Sequence, residues 1–327
     1  MFTMINNTTT NKEFVSLSSG FNKVKEGLSS TLLSSPSIVR SLTQHLSATG
    51  GKMIRAKSLL ACSMNNQGHI PKDAIRLAIA IELLHLATLV HDDVIDNAKT
   101  RRGSITLQKK FGKQPAVICG DYLFCLSLQI AAEITVNRDR VEILLTNYMS
   151  RICLGELMQN INHKNYDLTT RSYLRIISGK TAALFEAAFY AGAVLCDIPK
   201  NEIGKYSRLG HYVGMIFQLS DDCIDYEASQ EKARKTVLSD FEQGVITLPL
   251  IYAFKSEPKL KSKAKSGKIT KDEIRLAVLK CGGLEYTKSV SKKYYQKAFD
   301  IIDRLNEDSY KKETLKGILD KAHKGLK

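Results

Sequence analysis

Two acidic clusters of the same form, Asp-Asp-x-x-Asp, stand far apart in this chain. One is Asp92, Asp93 and Asp96 in LVHDDVIDNAKTRRG, and the other is Asp221, Asp222 and Asp225 in FQLSDDCIDYEAS. Each closes a long apolar stretch that reads as helix. Residues four apart share a helix face, so Asp92 aligns with Asp96 and Asp221 with Asp225. Carboxylates gathered within about one turn repel each other, and at a helix C-terminus the macrodipole opposes them further. A compensating cation is called for twice. Hard divalent ions fit best, Mg2+ above all, because it binds through a few carboxylates plus substrate phosphates. One triplet alone reads more readily as a solvated turn or an N-cap cluster. Two copies of identical spacing, each after a buried helix, favour metal.

The rest of the pattern is helical. Residues 73–93 and 114–134 are apolar nearly all round, which marks buried helices. Residues 141–161, 170–195 and 203–226 continue the theme, 227–246 read as a polar loop, and further helices close the chain. Alternating strand signals are missing. The expected fold is all-α, a large helical bundle. The length prior would suggest two domains, but six prolines and no Pro- or Ser-rich bridge give no linker. The reading is a flexible tail over 1–12 and a single all-α domain over 13–327.

A net charge of +15 fits a basic, soluble surface and also suits anionic substrates or membrane surfaces. Nucleic acid is not expected as a partner, since the basic residues are spread, Trp is absent and no nucleic-acid module is recognisable. Seven scattered cysteines without a C-x-x-C pair fit a reducing cytoplasm. The N-terminal stretch lacks the charged and apolar regions of a signal peptide, and no uninterrupted apolar run of about 18 residues suggests a membrane span. The expected location is cytoplasmic.

Basic residues sharpen the acidic motifs. Arg101 and Arg102 follow Asp96 by about one and a half further helical turns, and the planar guanidinium suits phosphate oxygens. TGGKMIRAK supplies Lys52 and Arg55 beside two glycines that let backbone approach an anion. Lys180 and Thr181, in SGKTAALF, offer another phosphate contact outside any Walker A spacing. Gln218, three residues before Asp221, is within reach of a phosphate. His85 is a candidate substrate contact and His91 a support for the acidic cluster. Metals, two cationic zones and an apolar interior together suit a substrate with a diphosphate head and a hydrocarbon tail.

GGKMIRA, ELLHLATLVHDDVIDNAKTRRG, GDYLF, GELMQ, GKTAALF, FQLSDDCIDY and SDFEQGVITLP, in this order over roughly residues 45–250, resemble the trans-isoprenyl diphosphate synthases of medium- to long-chain type. The resemblance implies the isoprenoid synthase fold with a central apolar tunnel, usually a homodimer, and three Mg2+ ions between the motifs. It implies head-to-tail condensation of an allylic diphosphate with isopentenyl diphosphate. Carried over by position, Asp92, Asp96 and Asp221 are metal ligands assisted by Asp93 and Asp225. Arg101 and Lys180 contact the allylic diphosphate, with Gln218 nearby. Lys52, Arg55, His85 and Arg102 hold the isopentenyl diphosphate, supported by Thr181. Two departures stand out. The usual lysine before the TLP segment is replaced in Val245-Ile246-Thr247, and the GK dipeptide after the second motif appears as Arg234-Lys235, where Lys235 can still serve.

Product length follows a steric argument. Ala87 and Thr88 lie five and four residues before Asp92, about one turn below it. Short-chain synthases resemble each other in placing aromatic floors there, so small residues suggest a longer product of about C30–C40, each extra isoprene unit adding several buried CH2-sized contacts. A lipid of that size also suggests transient contact with a membrane surface for its release. Competing readings are a partner subunit of a two-chain synthase, a shorter-chain farnesyl or geranylgeranyl diphosphate synthase, a terpene cyclase and an HD-type phosphohydrolase. The intact second Asp triplet disfavours the subunit and the cyclase, the small residues at Ala87 and Thr88 disfavour the shorter chain, and the phosphohydrolase lacks matched metal-binding histidines.

Overall fold

The computed structural model describes residues 14–48, 51–101, 103–134, 137–196, 198–227 and 238–324. The expected tail 1–12, Arg102 and Arg234-Lys235 lie outside the described residues. The chain runs β1 (Phe14–Ser16), α1 (Leu17–Leu33), α2 (Ser37–Ser47), α3 (Ile54–Cys62), β2 (His69–Pro71), α4 (Lys72–Ile95), β3 (Thr100–Arg101), β4 (Ser104–Ile105), α5 (Leu107–Phe111), α6 (Lys113–Ala132), α7 (Arg138–Ile161) and α8 (Thr170–Ile177). A single π-turn, Ser178–Ala182, joins α8 to α9 (Ala183–Leu195). Then come α10 (Lys200–Glu227), α11 (Ser239–Glu242), α12 (Leu248–Ser256), α13 (Pro258–Lys265), α14 (Lys271–Lys280), α15 (Gly283–Asp303) and α16 (Ser309–His323). The all-α expectation holds. Strand pairing among the described residues is confined to two short antiparallel ribbons, β1 with β2 and β3 with β4.

Local chemistry explains where these helices begin. Thr169 caps α8 by accepting the Ser172 N–H, Asp308 caps α16 through the Lys311 N–H, and Thr270 with Glu273 forms a reciprocal capping box on α14. The start of α3 is tied from a distance: the buried Glu82 carboxylate of α4 accepts the Ala56 N–H at 2.9 Å. That bond fixes α3, and with it Arg55, against the middle of α4.

By length and composition α4 and α6 could each cross a bilayer, yet 67% of the apolar window of α4 is buried inside the bundle. It is a core helix, enclosed by α1, α3, α6 and α9. For α6 the share is only 33%. One side of α6 packs on α4, where Ser127 donates to the Ala80 carbonyl at 2.7 Å. Its other side exposes Val117, Ile118 and Cys125, and α7 likewise exposes Leu154, Leu157 and Ile161. The interior has two apolar centres, one around α3, α4 and α9 and one around α8, α12 and α14. α10 serves both, giving Val213 and Ile216 to the first and Met215 and Leu219 to the second.

Candidate active site

Both acidic ladders stand at helix C-termini. Asp92 and Asp93 occupy the last turn of α4, Asp96 is its C-cap, and no basic residue offsets them there. Asp221, Asp222 and Asp225 occupy the last two turns of α10, also without a basic residue in the last turn. In the last turn of α4 such an acid costs about 0.3–1 kcal/mol against the helix dipole. Burial drives the Asp92 carboxyl above its ordinary range, and Asp96 adds to that, while Lys180 acts the other way.

The π-turn brings the ladders into one site. A π-turn inserts an extra residue into a helix and re-aims the side chains around it. Here it directs Lys180 toward α4 and α7 and Thr181 toward α10. Lys180 Nζ donates to Glu156 Oε2 at 2.7 Å and lies 4.0 Å from Asp92 Oδ2. Thr181 Oγ1 donates to Gln218 Oε1 at 2.7 Å, and Gln218 Nε2 donates to Asp222 Oδ1 at 2.7 Å. The Tyr173 hydroxyl donates to the other Asp222 oxygen. A continuous polar path therefore runs from Asp92 to Asp222 through two consecutive residues of the turn.

Glycines set its position. A Cβ on Gly155 of α7 would lie 2.2 Å from the Lys180 nitrogen, and one on Gly214 of α10 would lie 2.5 Å from the Ala182 Cα. The turn is gripped between two helices at backbone contact.

Electrostatics follow from burial. Burial alone would lower the Lys180 pKa, but Asp92 and then Glu156 outweigh it and hold the ammonium charged above its ordinary range. Burial, then the nearby Asp92, pushes Glu156 up to about 7. Burial likewise pushes Asp222 up to about 7, against the hydrogen bonds from Tyr173 and Gln218.

The other expected site residues are distributed as follows. Asp93 turns away from Asp92 and Asp96: it is buried, accepts from Arg101 Nε at 2.7 Å, and lines a small cavity of about 50 Å³ with Leu86, Leu89 and Val90. Arg101 is not on a helical continuation of α4. Asn97 adopts φ 49°, which ends the helix, and the β3–β4 hairpin carries Arg101 back beside the ladder. Asp225 accepts the Ser239 and Asp240 N–H groups at 3.2 Å and so anchors the start of α11. His91 faces α6, 3.2 Å from the Val117 carbonyl and 3.3 Å from Asp121.

Arg55 and His85 meet, Nη1 to Nε2 at 3.0 Å, with the guanidinium stacked 4.5 Å over the Phe185 ring. Lys52 is exposed just before α3. Thr88 donates to the His85 carbonyl at 2.8 Å on the face of Asp92, while the fully buried Ala87 shares the stripe of Ala80 and His91 that meets α6.

The donor set fits a hard cation. It consists of the carboxylate oxygens of the two ladders, those of Asp92, Asp222 and Asp225 desolvated, with the Lys180 ammonium between Asp92 and Glu156 as a cationic neighbour. Among the described residues no three His, Cys, Asp or Glu side chains already form a metal cage. That geometry suits an ion that takes a few carboxylates and completes its shell with substrate oxygens.

Glu156 was not singled out from sequence, where GELMQ entered as one of the motifs of the resemblance with no role for its glutamate. Nor was a polar cluster about one to three turns back along α7 and α10. There the Glu186 carboxylate accepts from Arg151 (2.9 Å), Ser207 (2.8 Å) and Tyr148 (3.0 Å), with His211 Nδ1 at 3.7 Å. Burial lowers His211 below 6.5. Burial would raise Glu186, but Arg151, Ser207 and Tyr148 hold it below 4.5. In both cases the unfolded chain takes the proton at the higher pH, so stability falls on acidification. Glu156 and Asp222, both pushed up to about 7, act in the opposite sense over the same range, so the His211 contribution is read as a difference between two chains: the midpoint of His211→Asn is expected to rise relative to the parent as pH passes below 6.5. A constant difference between the two profiles would contradict the assignment.

The model of the polyprenyl synthetase family matches residues 36–279. The chain is 36% identical over 265 residues to heptaprenyl diphosphate synthase component 2 of Geobacillus stearothermophilus, covering 80% of this chain and 82% of that one. It is 30% identical over 288 residues to octaprenyl diphosphate synthase of Escherichia coli, covering 86% and 88%. The solved structure of heptaprenyl diphosphate synthase from Staphylococcus aureus superposes with a TM-score of 0.86 at 31% identity, covering 95% and 98%. This chain belongs to the polyprenyl synthetase family and is a prenyltransferase.

Proposed function

We propose that the chain condenses isopentenyl diphosphate head-to-tail with an allylic diphosphate, giving a trans-polyprenyl diphosphate of about C30–C40 and releasing diphosphate. The observation that carries this reading is that consecutive residues of one turn reach both ladders, Lys180 through an ion pair with Asp92 at 4.0 Å and Thr181 through hydrogen bonds by way of Gln218 to Asp222. It ties both acidic ladders to the same turn, which supports the reading that one diphosphate is held between them. Asp92, Asp96 and Asp221 are the residues that would hold Mg2+, three ions by family resemblance. When bound, Mg2+ would shield the diphosphate oxygens so that the group can leave.

The protein's own residues do the rest. Lys180 and Arg101 balance charge on the departing diphosphate. Arg55 and His85, with Lys52, hold the second substrate so that its double bond lies close to the allylic carbon. The double bond attacks the allylic cation, and a proton is then lost to the released diphosphate. The apolar interior around α4 and α9 keeps water from the cation.

The test is to incubate the purified chain with Mg2+, labelled isopentenyl diphosphate and farnesyl diphosphate, and to measure product mass. Longer prenyl diphosphates support the reading, and a cyclic hydrocarbon without isopentenyl uptake sinks it. Product length supplies a further prediction. Thr88 sits under Asp92 on its face, so Thr88→Phe is expected to shorten the product by at least one isoprene unit. Ala87→Phe should shorten it too, with a stability loss of roughly 1–3 kcal/mol from overfilling the α4–α6 seam. Unchanged lengths would refute the tail path.

The apolar faces left exposed on α6 and α7 support a further proposal, that a second copy covers them. Sedimentation at the mass of one chain would reject it. The second reading, a subunit active only with a different partner, draws on the likeness to a protein named component 2. Elongation by the purified chain alone would exclude it.

A further inference from the structure

Glu156 stands out as a half-buried carboxylate at the site that neither acidic motif contains. It sits on α7, next to the glycine that touches the backbone of the π-turn, and its Oε2 accepts from Lys180 Nζ at 2.7 Å. The Lys180 ammonium is 4.0 Å from Asp92 on the other side. Both members of the pair are largely enclosed, each with 22% of its side chain exposed. A lysine side chain has four rotatable bonds and a point charge with three donors, so unless something holds it, its ammonium samples many positions. The first ladder alone cannot hold it. Once Asp92 gives its oxygens to a cation, the attraction from that side is spent, and the cation itself repels the ammonium.

We propose that Glu156 is a positioning residue: it keeps Lys180 in place through the cycle and leaves its remaining N–H donors aimed at the allylic diphosphate. This rests on the reading of Lys180 as a diphosphate contact. Glu156 itself need not touch substrate. Its partner Lys180 is fixed at the backbone by Gly155 and at the side chain by the next residue of the same helix, so α7 controls both ends of that side chain. The second ladder is steadied in a parallel way, with Thr181 held through Gln218 and Asp222.

The test is a double-substitution cycle with Glu156→Gln and Lys180→Met in the full chain, with kinetics for both substrates. Glu156→Gln keeps an acceptor of the same shape but removes the charge. The Michaelis constant for the allylic diphosphate is expected to rise about tenfold, with that for isopentenyl diphosphate within about twofold of wild type. Lys180→Met should raise the allylic constant further. In the Lys180→Met background, adding Glu156→Gln should change the allylic constant by less than about twofold, because the carboxylate would have nothing left to position. Circular dichroism and thermal midpoints check folding. Should Glu156→Gln unfold the chain, Glu156→Asp replaces it in the same cycle.

If Lys180→Met raises the allylic constant and Glu156→Gln does not, the positioning role is wrong while the reading of Lys180 stands. If the two changes multiply independently, Glu156 acts by another route and the proposal is again wrong. If Lys180→Met leaves the allylic constant unchanged, the reading of Lys180 itself fails.

Discussion

Asp92→Ala or Asp221→Ala is expected to lower turnover by about 10³-fold or more, which is roughly 4 kcal/mol of transition-state stabilisation. The loss should come without unfolding. In the cation-free protein Asp92 opposes the fold: it sits in the last turn of α4 with no basic residue there, and burial disfavours its ionised form. Asp92→Asn, which keeps the shape and removes the charge, should therefore raise the thermal midpoint by a few degrees at neutral pH, for a gain of about 1 kcal/mol. Lys180 keeps Glu156 as a partner in that variant, so no buried ammonium is stranded. Added Mg2+ with diphosphate should stabilise the parent chain and leave the variant nearly unmoved. Activity measurements and melting curves on the same samples check both signs. A variant that loses activity and melts lower would mean that Asp92 supports the fold, and the cation argument would fall.

The parts of this site that were legible in sequence share one property: they depend on spacing within a single helix. Asp92 with Asp96, Thr88 below Asp92, and Asp221 with Asp225 all follow from 3.6 residues per turn. The apolar surround of α4 follows from its composition, and its burial from that. Arg55 with His85 was reachable only through the family resemblance, since the two come from different helices. What stayed hidden depends on backbone that leaves the regular period. Extrapolating α4 past Asp96 placed Arg101 one and a half turns farther on, but a left-handed Asn97 ends the helix and a hairpin returns Arg101 to Asp93. Asp225 carries the motif pattern yet spends its oxygens on the N–H groups of α11, a contact set by how the chain turns after α10.

The π-turn was hidden for the same reason. Residues 170–195 read as one continuous helix, and in that geometry Lys180 and Thr181 would sit about 100° apart on a regular spiral. The inserted residue changes which neighbours they meet. Its only trace in the sequence is the pair of small residues Ser178-Gly179, together with glycines on two other helices, Gly155 and Gly214. No period within one segment links those positions. They become related when α7 and α10 close on the turn, which is a tertiary event.

That closure sets up a second large effect, Gly155→Ala. The added Cβ would lie 2.2 Å from the Lys180 nitrogen and 2.6 Å from the Gly179 carbonyl carbon. These are backbone atoms, so no side chain can swing aside, and either α7 or the π-turn must move by about 1 Å to reach ordinary contact near 3.5 Å. Overpacking of this kind costs roughly 1–3 kcal/mol. The catalytic cost should be larger, because Lys180 and Thr181 move with the turn while Asp92 and Asp221 stay on their own helices. Misplacement by about 1 Å is worth around 100-fold in rate, so kcat/KM should fall by that order although every charged group of the site remains. Gly204→Ala is the matching control. It lies within α10, its Cβ would meet nothing within 4 Å, and alanine there should leave activity alone and add about 0.5–1 kcal/mol of stability. Wild-type kcat/KM in Gly155→Ala, with the midpoint unchanged, would show that the turn does not depend on this contact, and the account of how one helix carries both Lys180 and Thr181 to the two ladders would have to be abandoned.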